Sequence, residues 1–459
     1  MKHFFITIGI FVTAAFRGFA FQANDTLLTA SSDGSYQDTS LAVAHALAQN
    51  QDGWVVTVGA ADGTYIWTNS LVIGPSNALT IQGASTSNRP TIIFNTTANS
   101  GIYSRSYGHL VTIQNFIFNT VSNVPAANII GLDGGGVCFR ISNCEFLCSG
   151  GAFGVQVGCI NDDQIMGPFG LVDNCQFYFP LGPVYNFLNV RANGNISHYG
   201  WTQPMTWGTT NCVVVESCAF SQPQSAPVSH VMEADGGARI CLRYCNITNL
   251  AEGTHGFQSG AHDSTLQVEC YENNFVINDS TGQHTMPYLY WQRGGTGLIW
   301  SNTISSTSFW NLGKVFLFTV ECAQSGNWQA ESCARLLTVT NGDYPAYQQA
   351  GQGVTNDPAA TSGAPGRVPI YCWGNVTPGT YYGNYILGVA EDTSFIVQGT
   401  DIFTNSPMPG YTALAYPHPL VAVVGVIPVS VPAAAATSST NPGTVIPPTD
   451  LQVHPPATQ

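Results

Sequence analysis

One six-residue phrase, apolar–x–Asn–Cys–x–Phe, returns through the chain and constrains its fold more than any other feature. It fits Ile113 to Phe118, Ile141 to Phe146, Val172 to Phe177 and Val215 to Phe220. It continues as Leu242 to Ile247, Cys270 to Phe275 and Ile299 to Ile304. The closing apolar residue advances in steps of 28, 31, 43, 27, 28 and 29 residues, and a weaker copy, LTIQGAS, lies upstream at 79–85. A short β-branched strand with a turn residue inside it cannot bury its own apolar face, whereas stacked copies can. Leucine-rich repeats share the period, but their leucine spacing is absent. Propeller blades need about 40 residues or more each. The period predicts an all-β parallel β-helix, one coil per repeat.

Such a winding places like residues over like. The column Phe116, Cys144, Cys175, Cys218, Cys245, Asn273, Asn302 recurs at one strand spacing, about 4.8 Å. Disulfides need Cβ atoms about 3.8 Å apart, and stacked ligands do not surround a metal. The column therefore reads as a ladder of buried thiols passing into asparagines. Cys322 and Cys333 lie outside it and form the best candidate disulfide pair.

The ends differ from the middle. Residues 1–20 read as a secretory signal: Lys2 and His3, an apolar run, then small residues near Ala20. Residues 21–70 hold a cap and entry, and 71–425 the β-helix, with less regular coils from about 311. Residues 426–459 form a Pro/Ala/Ser/Thr-rich tail. The formal net charge of -14 disfavours nucleic acid and anionic membranes as partners. No span across a membrane is expected once the signal is removed.

Several stretches carry a family resemblance. TSLAVAHALAQNQDGWVVTVGAADGTYIWTNSLVI is similar to an N-terminal cap of helix, first strand and GTY turn. GARICLRYCNITN, VECYENNF and RGGTGLIWSNTI are similar to core coils with Asn turns, and GYTALAYPHPL to a closing segment. Over roughly residues 30 to 420 the chain resembles the secreted right-handed parallel β-helix proteins of the pectate-lyase-like superfamily. The resemblance implies a secreted or cell-surface protein. It does not choose among lyases, hydrolases, epimerases and non-catalytic members. NDD at 161–163 and HG at 255–256 resemble the polygalacturonase pattern in residue type, but the spacing is too long and no Arg-x-Lys follows.

Candidate chemistry falls on the strand that precedes each phrase. If these strands stack, Asp162, Asp163, Arg191, Glu233, Asp235, His255, Tyr290 and Arg293 line one face. Glu233 and Asp235 are two apart, so both point the same way in a strand; they can divide acid and base roles or hold Ca²⁺. His255 can move a proton near neutral pH, and an arginine can neutralise a uronate carboxylate. Glu233, Asp235, His255 and Arg293 are the catalytic candidates, and Asp162 and Asp163 the Ca²⁺ ligands. The 43-residue step contains NISHYGWTQPMTWGTT, whose Tyr199, Trp201 and Trp207 offer flat faces to sugars. With Arg191, Tyr290 and Trp291, these tryptophans are the substrate-binding candidates. Asp173, Glu216 and Arg243 share an outward position and read as a surface salt-bridge ladder. Six sequons occur, at Asn24, Asn95, Asn195, Asn246, Asn278 and Asn375.

Two functions follow. The first is a secreted polysaccharide lyase or glycoside hydrolase, working by Ca²⁺-assisted β-elimination or by hydrolysis. The second is a non-catalytic structural, adhesive or glycan-binding solenoid.

Overall fold

The computed structural model describes residues 21–422, apart from 75–76, 106–107, 121–127, 134–137, 148–152, 160–167, 179–185, 193–198, 224–229, 257–262, 278–287, 307–315, 321–347, 355–365, 377–386 and 390–396. The expected signal, the tail at 426–459, Asp162, Asp163, Cys322 and Cys333 lie outside the described residues.

The chain is an all-β parallel solenoid. Each coil contributes one strand to each of three sides. Cys138–Ser142, Glu145–Leu147 and Phe153–Cys159 make one coil, and Phe169–Asp173, Gln176–Tyr178 and Asn186–Ala192 the next. The first side is a 13-stranded sheet and the second has nine strands. The third side is a six-stranded sheet followed by a four-stranded one. The register matches the repeat. Phe118 pairs with Phe146, Phe146 with Phe177, Phe177 with Phe220, Phe220 with Ile247, Ile247 with Phe275 and Phe275 with Ile304. Rings stack along this file; Phe146 and Phe177 lie 4.5 Å apart at 4°. Burying each such side chain contributes about 1.5–3 kcal/mol.

The corner inside each phrase has a backbone cause. Asn115, Asn143, Asn174, Ser217, Tyr244, Glu272 and Ser301 all have φ between 49° and 65°. Asn adopts this left-handed region most readily of the non-glycine residues, because its short side chain bonds locally. The next coil has Gly374 there, with φ 64°. The residue after each corner points inward and builds the expected column. Backbone N–H groups of Cys144 and Cys175 donate to the sulfurs of Cys175 and Cys218 at 3.5 and 3.4 Å. Further along, the Asn273 N–H donates to Asn302 Oδ1 at 3.1 Å, and the Asn302 N–H to Asn375 Oδ1 at 2.9 Å. Nine of the cysteines among the described residues, Cys138 to Cys372 with Cys159 apart, are buried and outside any disulfide. Burial pushes the Cys138 thiol up to about 12.

A 13-residue helix, Tyr36–Ala48, closes the N-terminal end and packs Ala42, Val43 and Ala46 into the core. Ser35 caps it by accepting from the Asp38 N–H. Among the described residues no helix is long and apolar enough to cross a membrane.

Candidate functional site on the third side

Glu233 lies in His230–Asp235, a strand whose register sets Asn186 beside His230, Asn189 beside Glu233 and Arg191 beside Asp235. Alternation along the strand turns Glu233 and Asp235 outward and sends Met232 and Ala234 into the core. The next coils bring His255, just after Glu252–Gly253, and Arg293, just after Tyr288–Gln292. Arg293 Nη2 donates to Glu233 Oε1 at 3.1 Å, and His255 Nε2 stands 3.4 Å from the same oxygen. Asn186 Nδ2 donates to the other carboxylate oxygen.

The electrostatics follow from these contacts. Burial alone would raise the Glu233 carboxyl, but His255, Arg293, His230 and the Asn186 hydrogen bond outweigh it and hold it at about 2. Glu233 is thus a carboxylate at any working pH. His255 Nδ1 faces the Gly256 carbonyl at 3.1 Å, and Nε2 faces the carboxylate. Both are acceptors, so a doubly protonated ring satisfies both contacts. His230 is kept neutral by burial, helped by Arg293 and opposed by Glu233, down to about 4. Gly253 makes room for it: a Cβ there would come within 2.8 Å of the His230 ring.

Arg293 is fixed on several sides. Its guanidinium lies 4.2 Å above the Trp291 ring, its Nε donates to the Thr254 carbonyl, and its backbone N–H donates to Thr254 Oγ1 at 2.9 Å. Its Nη1 is buried without a hydrogen-bond partner. The side-chain oxygens of Asn128, Asn186 and Asn189, on the same side, are likewise buried and unpartnered. The amide of Asn186 is oriented by Glu233, and Asn128 Nδ2 donates to the Asn99 carbonyl at 3.2 Å. What these two leave over are acceptors.

Of the other predicted residues, Asp235 and Arg191 pair with each other at 3.0 Å, and Asp235 is only 3% exposed. Tyr290 points inward, against the expectation, and bonds the Gln292 side chain. It pairs with buried Glu252 in the four-stranded sheet, and the outward place goes to Trp291. Trp201 is buried, with Nε1 donating to the Ser264 carbonyl at 3.0 Å, so its face is not open to a sugar. The insertion that carries it lies over the corner leading to the first sheet. There Gly237, with φ 82°, meets Gly200 so closely that a Cβ would fall 2.7 Å from its Cα. Half-buried Trp207 is next to Gly208, whose N–H donates to Glu269 Oε1 at 3.0 Å, so it belongs to the first side and not to the Glu233 cluster.

The salt-bridge ladder is also corrected. Asp173, Glu216 and Arg243 are in register, but they are buried. Residues 411–422 lie across them: Arg243 Nη1 donates to the Leu414 carbonyl at 2.6 Å, and the His418 N–H donates to Glu216 Oε1 at 2.9 Å. Arg243 Nη2 meets Glu216 at 2.6 Å, and Arg140 Nε meets Asp173 at 2.9 Å.

Sequence reasoning missed Asn128, Asn186, Asn189 and His230. The signal was available, because Asn186 and Asn189 occupy the same register positions in NFLNVRA as His230 and Glu233 do in HVMEAD.

Comparison with family models, curated proteins and solved structures returns no match. Among the described residues no three His, Cys, Asp or Glu side chains gather as a metal set. Glu233 and Asp235 are each engaged by an arginine. They do not fit a Ca²⁺ site, and the Ca²⁺ assignment rests on Asp162 and Asp163 alone.

Proposed function

We propose that this is a secreted, carbohydrate-active member of the pectate-lyase-like β-helix proteins, which engages a polysaccharide on the outer face of its third side and hydrolyses it at Glu233 and His255. The observation that carries the reading is the meeting, from three successive coils, of a carboxylate held ionised, an imidazole facing two acceptors and an arginine fixed on an indole. His255 gives its Nε2 proton to the glycosidic oxygen as the C–O bond breaks. Glu233, preorganised by Arg293, stabilises the positive charge that develops on the sugar. Water then adds to the anomeric carbon, and its released proton returns to His255.

Incubation with a panel of neutral and acidic polysaccharides, with and without Ca²⁺, tests this. New reducing ends, lost in Glu233→Gln and His255→Ala, are expected. Ultraviolet absorbance from unsaturated uronates would replace hydrolysis with elimination. A non-catalytic glycan-binding role is the second reading. It is favoured by Asp235, which is closed off and paired with Arg191, leaving no free second carboxylate beside Glu233. Retention on a glycan without new ends would assign that role.

A further inference from the structure

We propose that residues 411–422 are an acid-released clasp, held on the first sheet by His418 in its neutral form. This stands independently of the reading of the third side. The clasp lies over the outward files of the 13-stranded sheet. Leu420 and Val421 pack with an apolar cluster that includes Leu171, Val214 and Cys241. Arg243 grips it by the carbonyls of Leu414 and Ala415, at 2.6 and 3.1 Å. Ser217 Oγ and the Tyr416 hydroxyl meet at 2.8 Å, and the Tyr411 hydroxyl donates to Glu269 Oε2 at 2.6 Å.

His418 sits at the centre of this contact and is 2% exposed. Its backbone N–H donates to Glu216, and its ring Nδ1 accepts the Leu420 N–H at 3.1 Å. An imidazole nitrogen that accepts carries no proton. The closed clasp therefore selects the neutral ring protonated at Nε2, and Nε2 itself is buried without a partner. Protonation puts N–H against N–H at Leu420 and gains no new acceptor at Nε2.

The surrounding charges agree. Arg243 and Arg140 oppose a positive ring, and Asp173 favours it. Asp173 is already taken by Arg140 at 2.9 and 3.0 Å, by Ser142 at 2.9 Å and by Asn174 at 2.8 Å. Glu216 is taken by Arg243 and by the His418 backbone. The Tyr271 hydroxyl accepts from Arg243 Nη1 at 3.0 Å, and Glu269 lies beyond, accepting from Tyr411. Burial first, then Arg243, brings His418 down from 6.5 to about 4. A depressed histidine stabilises the closed form fully above its free value and loses that contribution as pH falls from 6.5 towards about 4. That drop corresponds to a change in the closing equilibrium on the order of 10²-fold.

Hydrogen–deuterium exchange of the full chain, corrected for intrinsic rates and read peptide by peptide at pH 7 and pH 4.5, tests the clasp. Protection of 411–422 should fall on the order of 10²-fold at pH 4.5, while Cys138–Ser142 and Phe169–Asp173 stay protected. His418→Asn keeps an acceptor where Nδ1 stands but cannot take a proton, so its clasp should stay closed at both pH values. His418→Ser removes the titratable ring altogether, and its clasp too should lose the difference between the two pH values. An equal pH response in wild type and His418→Asn overturns the proposal. So does a wild-type clasp that stays protected at pH 4.5, or one that opens only when the coils unfold.

Discussion

The backbone N–H of Cys245 donates to the side-chain oxygen of Asn273 at 3.0 Å, and at that bond the thiol column becomes a carboxamide column. Beyond it each Asn does two jobs. Its oxygen receives the N–H of the coil before, and its nitrogen serves a backbone carbonyl: Asn273 donates to Leu242 and Asn302 to Cys270, each at 2.9 Å. Removing one of these residues leaves buried backbone groups unpaired. Asn273→Ala should cost about 2–4 kcal/mol, read from the urea midpoint. Cys245→Asn should be tolerated, because the Val215 carbonyl already faces Sγ at 3.7 Å and can receive the new amide.

The described thiols should be silent in the native protein. The nine from Cys138 to Cys372, Cys159 apart, are buried and in no disulfide. A thiol-specific chromogenic reagent at pH 8 should leave them unmodified, with all nine appearing only in denaturant, as read by peptide mapping. Labelling of Cys144, Cys175, Cys218 or Cys245 in the folded chain would contradict the inward column.

Glu233→Gln tests charge separately from shape. The amide keeps the volume but loses the charge that His255 and Arg293 face. Hydrolysis should fall at least about 100-fold. Because Glu233 is depressed to about 2, its contribution to stability is complete above about 4.5 and drains as pH falls through about 2. Wild type should lose melting temperature across that window, and Glu233→Gln should lose less.

Arg239 anchors the insertion without a carboxylate. Its Nη2 donates to the carbonyls of Gly200, Gln203 and Pro204 at 3.3, 3.0 and 3.0 Å. Arg239→Met should free this segment to limited proteolysis around 199–212 while the coils persist. Gly237→Ala should do the same by a steric route, costing about 1–3 kcal/mol at its positive φ.

What the sequence made legible was whatever repeats once per coil. The file from Phe118 to Ile304, the thiol-to-asparagine column and the left-handed corners all follow from one period. Each coil restates the same burial problem, and a shift of one residue would turn the whole file outward. What it hid was whatever happens once. Asp173, Glu216 and Arg243 carry no mark that a segment near residue 415 will cover them. Trp201 looked like a sugar platform because its insertion has no period from which to read a facing. Tyr290 was set outward beside Glu233, yet the third side passes into a second sheet, where its partner is buried Glu252 and Trp291 faces out. The meeting of Glu233 with Arg293 and His255 was half legible: the residues were named, but not the ionised state that their contacts impose.

The clasp also has a consequence in time. Leu414 lies 171 positions after Arg243, and His418 lies 202 after Glu216. Every coil can dock on its predecessor as it emerges from the ribosome, but this cover arrives only with the far end of the chain. At ordinary elongation rates the wait is roughly ten to forty seconds. Through that interval a newborn molecule presents a wet, charged strip that the finished one conceals, and a premature stop before residue 411 would leave it so permanently.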